Sequence, residues 1–197
     1  MFKTFKITAT AALMSVASVA FADMGNLDSF RALSAVEVAE TEMVAAIKPI
    51  AVADEASASK GVLTAGDRIA FELSGVEGAK IYILNMDSAG TIQMIYPNKY
   101  VEGGEAQTED MMMVPAEGAS YEFEVSGEGG SEVVKVIAID GESSAFDALI
   151  ASLFDTEKTF PRAIQPAEPT TDALTAFFES SDGAKIREAT LEYVIAK

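Results

Sequence analysis

The fold of this chain is decided by residues 80–98, KIYILNMDSAGTIQMIYPN. Residues 81–85 alternate between two sets of mostly apolar side chains, which predicts a strand that is buried on both faces and central in its sheet. Residues 87–90 form a tight turn signal, and residues 91–96 supply the returning strand of a hairpin. This segment therefore predicts an antiparallel sheet built from short strands.

Further short strands are predicted on either side of this hairpin. Ile69 to Leu73 alternates with period two, and Met111 to Val114, Tyr121 to Val125 and Val133 to Ile139 are short apolar or alternating runs. Gly and Pro separate these runs, and this spacing favours an antiparallel sandwich over a parallel sheet. The fold class that we predict is therefore mainly β.

Two helices are predicted near the C-terminus, before a last strand over Lys185 to Ile195. Apolar residues recur at i, i+3, i+4, i+7 and i+8 in the first helix, at Phe146, Leu149, Ile150, Leu153 and Phe154. Asp172 is the expected cap of a shorter second helix, which carries Leu174, Phe177 and Phe178 and ends near Gly183. We expect both helices to cover the sandwich.

Residues 23–60 are predicted to form an N-terminal extension and linker, ahead of a sandwich domain over 61–197. Ser34 and Glu37 have the spacing of a capping box, and apolar residues then recur at helical intervals as far as Ile47. A strand through Val36 and Val38 is the alternative. Residues 51–60 are rich in Ala and Ser, which indicates a linker.

The first 22 residues have the pattern of a secretory signal. Lys3 and Lys6 precede an uncharged small and apolar run over residues 7–19. A peptidase site follows, because the small residues Ala20 and Ala22 flank Phe21 and Asp23 begins the mature chain. A membrane anchor is the alternative, but the run is shorter than the roughly 20 residues that span a bilayer. We therefore expect a periplasmic or secreted protein.

The composition excludes several classes of protein. The 197 residues include 14 basic and 31 acidic side chains, a net charge of −17, and no Cys or His. Loss of the two signal lysines takes the mature charge to −19, which argues against nucleic acid as a partner. Disulfides, thiol nucleophiles, imidazole bases and histidine-ligated zinc are excluded as well. No later stretch is apolar enough for a transmembrane helix.

The segments GDRIAFEL (66–73) and KIYILNMDSAGTIQMIYPN (80–98) resemble the bacterial domain-of-unknown-function family number 4384. The resemblance runs from Thr64 to Val194, and its turn motif is carried by Asp87, Gly90, Pro97 and Asn98. The Gly127 to Ser131 turn lacks the proline that the family has just before it. The resemblance implies an immunoglobulin-like β-sandwich in a bacterial envelope protein, serving as an accessory module, and it brings no catalytic residues.

The densest acidic loop is the candidate ligand site. It contains Glu102, Glu105, Glu109 and Asp110, and carboxylates of this kind suit weak Ca²⁺ binding, although a solvated surface is the simpler interpretation. A carbohydrate ligand at these loops and a hydrolase that uses two carboxylates are further alternatives.

Three other motifs are rejected on their spacing. Asn85, Asp87 and Gly90 resemble the start of a calcium loop, but its fifth and twelfth positions are Ala89 and Tyr96, which cannot supply the required ligands. The methionines at 111–113 are poor Cu(I) ligands, since a strand points the middle one away from the others. Residues 57–60 match S-x-x-K without the companion motifs of penicillin-interacting enzymes. No catalytic residue, metal or cofactor is therefore predicted, and the favoured function is an exported, non-catalytic module that binds an envelope protein.

Overall fold

A computed structural model describes residues 3–7, 19–33, 42–101, 107–127, 129–181 and 185–197, and their side chains from Gly25 onward. The helices are α1 (Val19–Arg31), α2 (Glu55–Ala58), α3 (Ser144–Leu153) and α4 (Ala167–Ser180). The strands are β1 (Lys3–Ile7), β2 (Val44–Ala51), β3 (Val62–Thr64), β4 (Arg68–Ser74), β5 (Ala79–Met86), β6 (Ile92–Tyr96), β7 (Met111–Val114), β8 (Tyr121–Val125), β9 (Gly130–Asp140), β10 (Phe154–Asp155), β11 (Arg162–Ala163) and β12 (Ile186–Ala196).

The strands form two sheets. The first, which we call the open sheet, has the order β1-β8-β4-β2, and β7 pairs with the same edge of β4 as β8. The second, which we call the covered sheet, has the order β10-β11-β6-β5-β9-β12-β3. The described pairings are antiparallel except for β1 with β8 and β3 with β12, which are parallel.

The inner core lies between the two sheets. Alternation along β4 turns Ile69, Phe71 and Leu73 inward, where they join a cluster that contains Ile81 and Val134 of the covered sheet. Each fully buried side chain of this size contributes about 1.5–3 kcal/mol of stability by leaving water. The sandwich is therefore held together by residues that the period-two pattern identifies.

The outer core lies between the covered sheet and the helices. The second faces of β5 and β9 contribute Tyr82, Leu84 and Ile137, which are buried with Phe146 of α3 and Phe178 of α4. This burial explains why these two strands are apolar on both faces. Helices therefore cover one side of the sandwich.

A polar contact fixes the position of α3. The Asp147 carboxylate accepts hydrogen bonds from Lys80 Nζ at 2.7 Å and from the Tyr82 hydroxyl at 2.7 Å. These hydrogen bonds connect helix α3 to β5, the first strand of the predicted hairpin.

The predicted mainly β sandwich with two covering helices is confirmed, and α1 is a third covering helix through Leu27 and Phe30. The predicted helix ending at Ile47 is wrong over its last residues, because residues 44–51 form β2 and pair with β4. Pro49 is tolerated there because β2 lies at the edge of the sheet. The alternative strand through Val36 and Val38 lies outside the described residues.

Two smaller predictions are also wrong. The linker interpretation of residues 51–60 fails because Glu55–Ala58 form α2, and Asp54 caps this helix by accepting hydrogen bonds from two backbone N–H groups. Helix α4 begins at Ala167 rather than after Asp172. Pro169 falls in the first turn of α4, where a missing N–H leaves no helical hydrogen bond unmade.

The family turn motif has a structural role. Asp87 Oδ1 accepts hydrogen bonds from the backbone N–H groups of Ala89 at 3.0 Å and Thr91 at 2.8 Å, so it closes the hairpin turn. Gly90 has a φ of 76°, a conformation that favours glycine. Asn98 follows Pro97 and bonds the Ile95 carbonyl through Nδ2 at 2.9 Å. Asp87 and Gly90 hold the backbone of the turn, as the hairpin interpretation predicted.

The three methionines of β7 offer a test of this strand geometry. Met112 packs against the inner core opposite Leu73, whereas Met111 is 60% exposed. We expect Met112→Gln to lower the free energy of unfolding by about 1–3 kcal/mol, because it buries an amide without a partner. Met111→Gln is the matched control and should change it by less than about 0.5 kcal/mol. Urea unfolding measures both, and equal losses would contradict the inward direction of Met112.

Candidate binding surface

The outer face of the open sheet carries exposed apolar side chains. Val44 of β2 and Met111 of β7 both lie in register with Ser74 of β4, so they flank it on the same face. Val44 is 56% exposed and Met111 is 60% exposed. The corresponding face of the covered sheet is buried under α1, α3 and α4. The two faces of the sandwich therefore differ in whether helices cover them.

A groove of about 480 Å³ lies on this outer face. Its floor is β4, with Ala70 and Glu72 in the centre. Ile50 of β2 lies on one side, and the turn over residues 115–119, which joins β7 to β8, lies on the other. Ile50 is 56% exposed. Three segments that are distant in sequence therefore meet to form a concave surface with an apolar part.

Two ion pairs join neighbouring strands across this groove. Lys48 Nζ lies 2.8 Å from Glu72 Oε2, and Arg68 Nη1 lies 2.9 Å from Glu122 Oε2. All four side chains are partly exposed, so each pair stabilises the fold by no more than about 1 kcal/mol. The pairs set the rim of the groove, and the exposed Glu117 adds a further negative charge.

A second depression of about 970 Å³ continues this surface toward α2. It shares Lys48, Ile50 and Arg68 with the groove. The two depressions together run across β2, so the surface is extended rather than a closed pocket. An extended surface with apolar and charged parts suits a polypeptide segment better than a small molecule.

The predicted acidic loop is only partly described. Glu102 and Glu105 lie outside the described residues. Glu109 and Asp110 are exposed, and Asp110 lies beside Arg187 around a shallow cavity of about 420 Å³. Arg187 donates to Asp140 and to the carbonyls of Gly75 and Glu77.

Metal ligands are not grouped in the described part of the chain. Among the described residues, no set of three or more Asp, Glu, His or Cys side chains is arranged to hold a metal ion. No helix in that part of the chain has the length and apolar character needed to cross a bilayer.

The predicted cleavage position between Ala22 and Asp23 lies within α1. The side chains through which α1 contacts the outer core, Leu27 and Phe30, follow this position. The residues before it include β1, which pairs with β8. Cleavage there would therefore remove one edge strand of the open sheet and keep the buried contacts of α1.

A buried carboxyl group at one end of the inner core was not predicted. Glu132 is fully buried, and its Oε2 accepts hydrogen bonds from Asn85 Nδ2 at 2.9 Å and from the Tyr193 hydroxyl at 2.6 Å. Glu132 Oε1 and Asn85 Oδ1 have no hydrogen-bond partner among the described residues. Burial raises the pKa of Glu132, and the nearby Asp87 charge raises it further against the lowering effect of the two donors.

The sequence carried only a weak signal for these features. Lys135 lies inside the predicted strand Val133 to Ile139 and Glu132 directly precedes it, and a charge in a strongly apolar strand indicates a paired or neutral group. The groove had no such signal, because its three segments come together only through the pairing of β2 and β7 with β4.

Protonation of Glu132 should make stability depend on pH. Because burial raises its pKa, the folded chain binds this proton more tightly than the unfolded chain. The resulting stability is complete below the ordinary pKa of 4.5 and is lost as the pH rises through the raised pKa of the folded state. We expect the free energy of unfolding to fall less steeply with pH across this window in Glu132→Gln than in the wild-type protein.

Urea unfolding at a series of pH values measures this difference. Asp87, whose pKa burial also raises, is present in both proteins, so the difference between the two profiles reports the proton of Glu132 together with its interaction with Asp87. Glu117→Gln removes an exposed carboxylate and is the matched control. A Glu132→Gln profile parallel to that of the wild type would contradict the expectation.

One comparison with known proteins returns a match. The family described as "Domain of unknown function (DUF4384)" matches residues 62–140, a stretch that begins with β3 and ends with β9. Neither a curated protein nor a solved structure matches the chain. The resemblance to the domain of unknown function 4384 is therefore confirmed for residues 62–140.

Proposed function

We propose that the protein is exported and acts in the bacterial envelope as a non-catalytic module that binds a partner protein through the outer face of the open sheet. The observation that carries this proposal is the difference between the two sides of the sandwich. Helices α1, α3 and α4 lie over the outer face of the covered sheet. The open sheet instead exposes Val44, Ile50 and Met111 beside the groove. Exposed apolar residues that are grouped in this way are typical of protein-binding surfaces.

The charges in the groove support binding rather than catalysis. Glu72 is paired with Lys48, and Glu122 is paired with Arg68. The chain has no His or Cys that could act beside them. A hydrolase that uses two carboxylates needs one acid raised in pKa and placed in a cleft with the other.

Export is tested by the mass of the protein in the envelope. We expect the wild-type protein to be recovered as a chain that begins at Asp23. Ala22→Tyr should leave the chain uncleaved, because the peptidase accepts only small residues at that position. Phe21→Leu is the control and should still be cleaved. Recovery of a wild-type chain that still begins at Met1, measured by intact-mass spectrometry, would contradict export by this route.

The binding surface is tested by photo-crosslinking in living cells. A photoreactive residue at Met113, which lines the groove, should give a discrete adduct with one protein. The same residue at Glu168, which is exposed on α4, should not. Adducts of equal yield from both positions, or from neither, would contradict the assignment of the binding surface.

Two apolar residues of nearly equal exposure make a matched pair for this experiment. Ile50 lies in the groove and is 56% exposed, whereas Ile164 lies after β11 and is 59% exposed. Ile50→Glu should lower the yield of the Met113 adduct at least about five-fold, since a charge placed in an apolar contact costs binding energy. Ile164→Glu should leave the yield unchanged.

A further inference from the structure

The outer edge of β8 already holds a strand in the uncleaved chain. β1 pairs with it in parallel over Lys3 to Ile7. The register aligns Phe5 with Phe123 and Lys6 with Glu124. This edge of β8 is therefore able to accept an extended segment.

The backbone of β8 shows which groups hold such a segment. Val125 uses its N–H to bond the Asp67 carbonyl at 2.8 Å, and its own carbonyl accepts from Gly66 N–H at 2.8 Å. Both of these bonds lie on the β4 side. Because backbone groups alternate in direction along a strand, the N–H and C=O groups of Glu122 and Glu124 point to the opposite edge, toward β1. Removal of residues 3–7 takes away the strand that these groups face.

We propose that in the processed protein this edge of β8 binds an extended segment of the partner protein as an added parallel strand, with apolar and basic residues in alternation. The inference rests on the proposed function, because cleavage after Ala22 is what removes β1. An added strand supplies main-chain hydrogen bonds, and its alternate side chains provide specificity.

The side chains of β8 specify the chemistry of that segment. Tyr121, Phe123 and Val125 are buried in the inner core, which favours apolar residues in register with them. Glu122 and Glu124 alternate with these residues and lie on the outer face. Glu122 is paired with Arg68 there, and a basic residue in register with Glu124 forms a favourable cross-strand pair. The mature chain carries a net charge of −19, which favours a basic segment over longer distances.

The same charges disfavour a second copy of this chain as the occupant. Pairing of β8 with β8 of another molecule would bring the Glu122 and Glu124 pairs of the two strands together. Like charges opposite each other on neighbouring strands are destabilising. The edge of β8 also borders the groove, since Tyr121 and Glu122 line it. A partner segment added there is therefore continuous with the proposed binding surface.

The probe for this inference is a capped, fluorescently labelled peptide of residues 2–9, FKTFKITA. The processed protein purified from the envelope should bind it, as measured by fluorescence anisotropy. The uncleaved Ala22→Tyr protein should bind it at least about ten-fold more weakly, because its own residues 3–7 occupy the edge. Intact mass confirms which form is in each sample, so a failure of export is distinguished from a failure of strand addition.

Peptide variants test the register and the backbone pairing. Lys6→Glu in the peptide should weaken binding about five-fold, since it replaces an attraction to Glu124 with a repulsion. Glu124→Lys in the protein should reverse that preference. Phe5→Pro in the peptide should abolish binding, because proline interrupts the ladder.

Three results would overturn the proposal. The first is no binding of the peptide to the processed protein, and the second is equal binding of the native and Lys6→Glu peptides. The third is a dimer of the processed protein in sedimentation that the peptide dissociates, since this would make a second copy the occupant of the edge. Circular dichroism of the Glu124→Lys protein checks that it folds, and the peptide variants give the same test on the unaltered protein.

Discussion

The structure depends on β9 being buried on both faces. Residues 132–139 are all buried, and they pair with β5 on one side and β12 on the other. Val134 and Val136 face the inner core, whereas Val133 and Ile137 face the outer core. One strand thereby joins the layer between the sheets to the layer beneath the helices. A polar substitution at any of these positions would disturb one of the two cores, which is why the run contains so few polar residues.

Sequence periodicity predicted those strands and helices whose pattern of buried residues repeats within the element itself. Strands β4, β5, β6 and β8 and helix α3 were predicted because each alternates or repeats along its own sequence. Strand β2 was missed because its Ala-rich sequence and Pro49 lack a strand pattern, and its pairing with β4 decides its conformation. The predicted start of α4 is late because Asp172 has the side chain of an N-cap residue but lies inside the helix, which begins at Ala167.

The groove on the open sheet was beyond prediction for a related reason. Ile50, Ala70 and Pro115 belong to three segments, and only the register of the open sheet brings them to one groove. The acidic loop was predicted to be a ligand site because its charges are close in sequence, yet its described residues Glu109 and Asp110 are exposed. Nearness in sequence is a poor guide to a surface that is formed across a sheet. The family match does not cover the whole groove either. Residues 62–140 include β4, which forms its floor, but not β2, which forms one side.

The position of β12 affects how the chain can reach its native state. This strand is the final element in chain order, and it lies between β9 and β3, so β3 joins the covered sheet only through it. The covered sheet is therefore incomplete without residues 186–196. A chain that lacks these residues would lose β12, detach β3 from the covered sheet and leave one edge of β9 without its neighbouring strand.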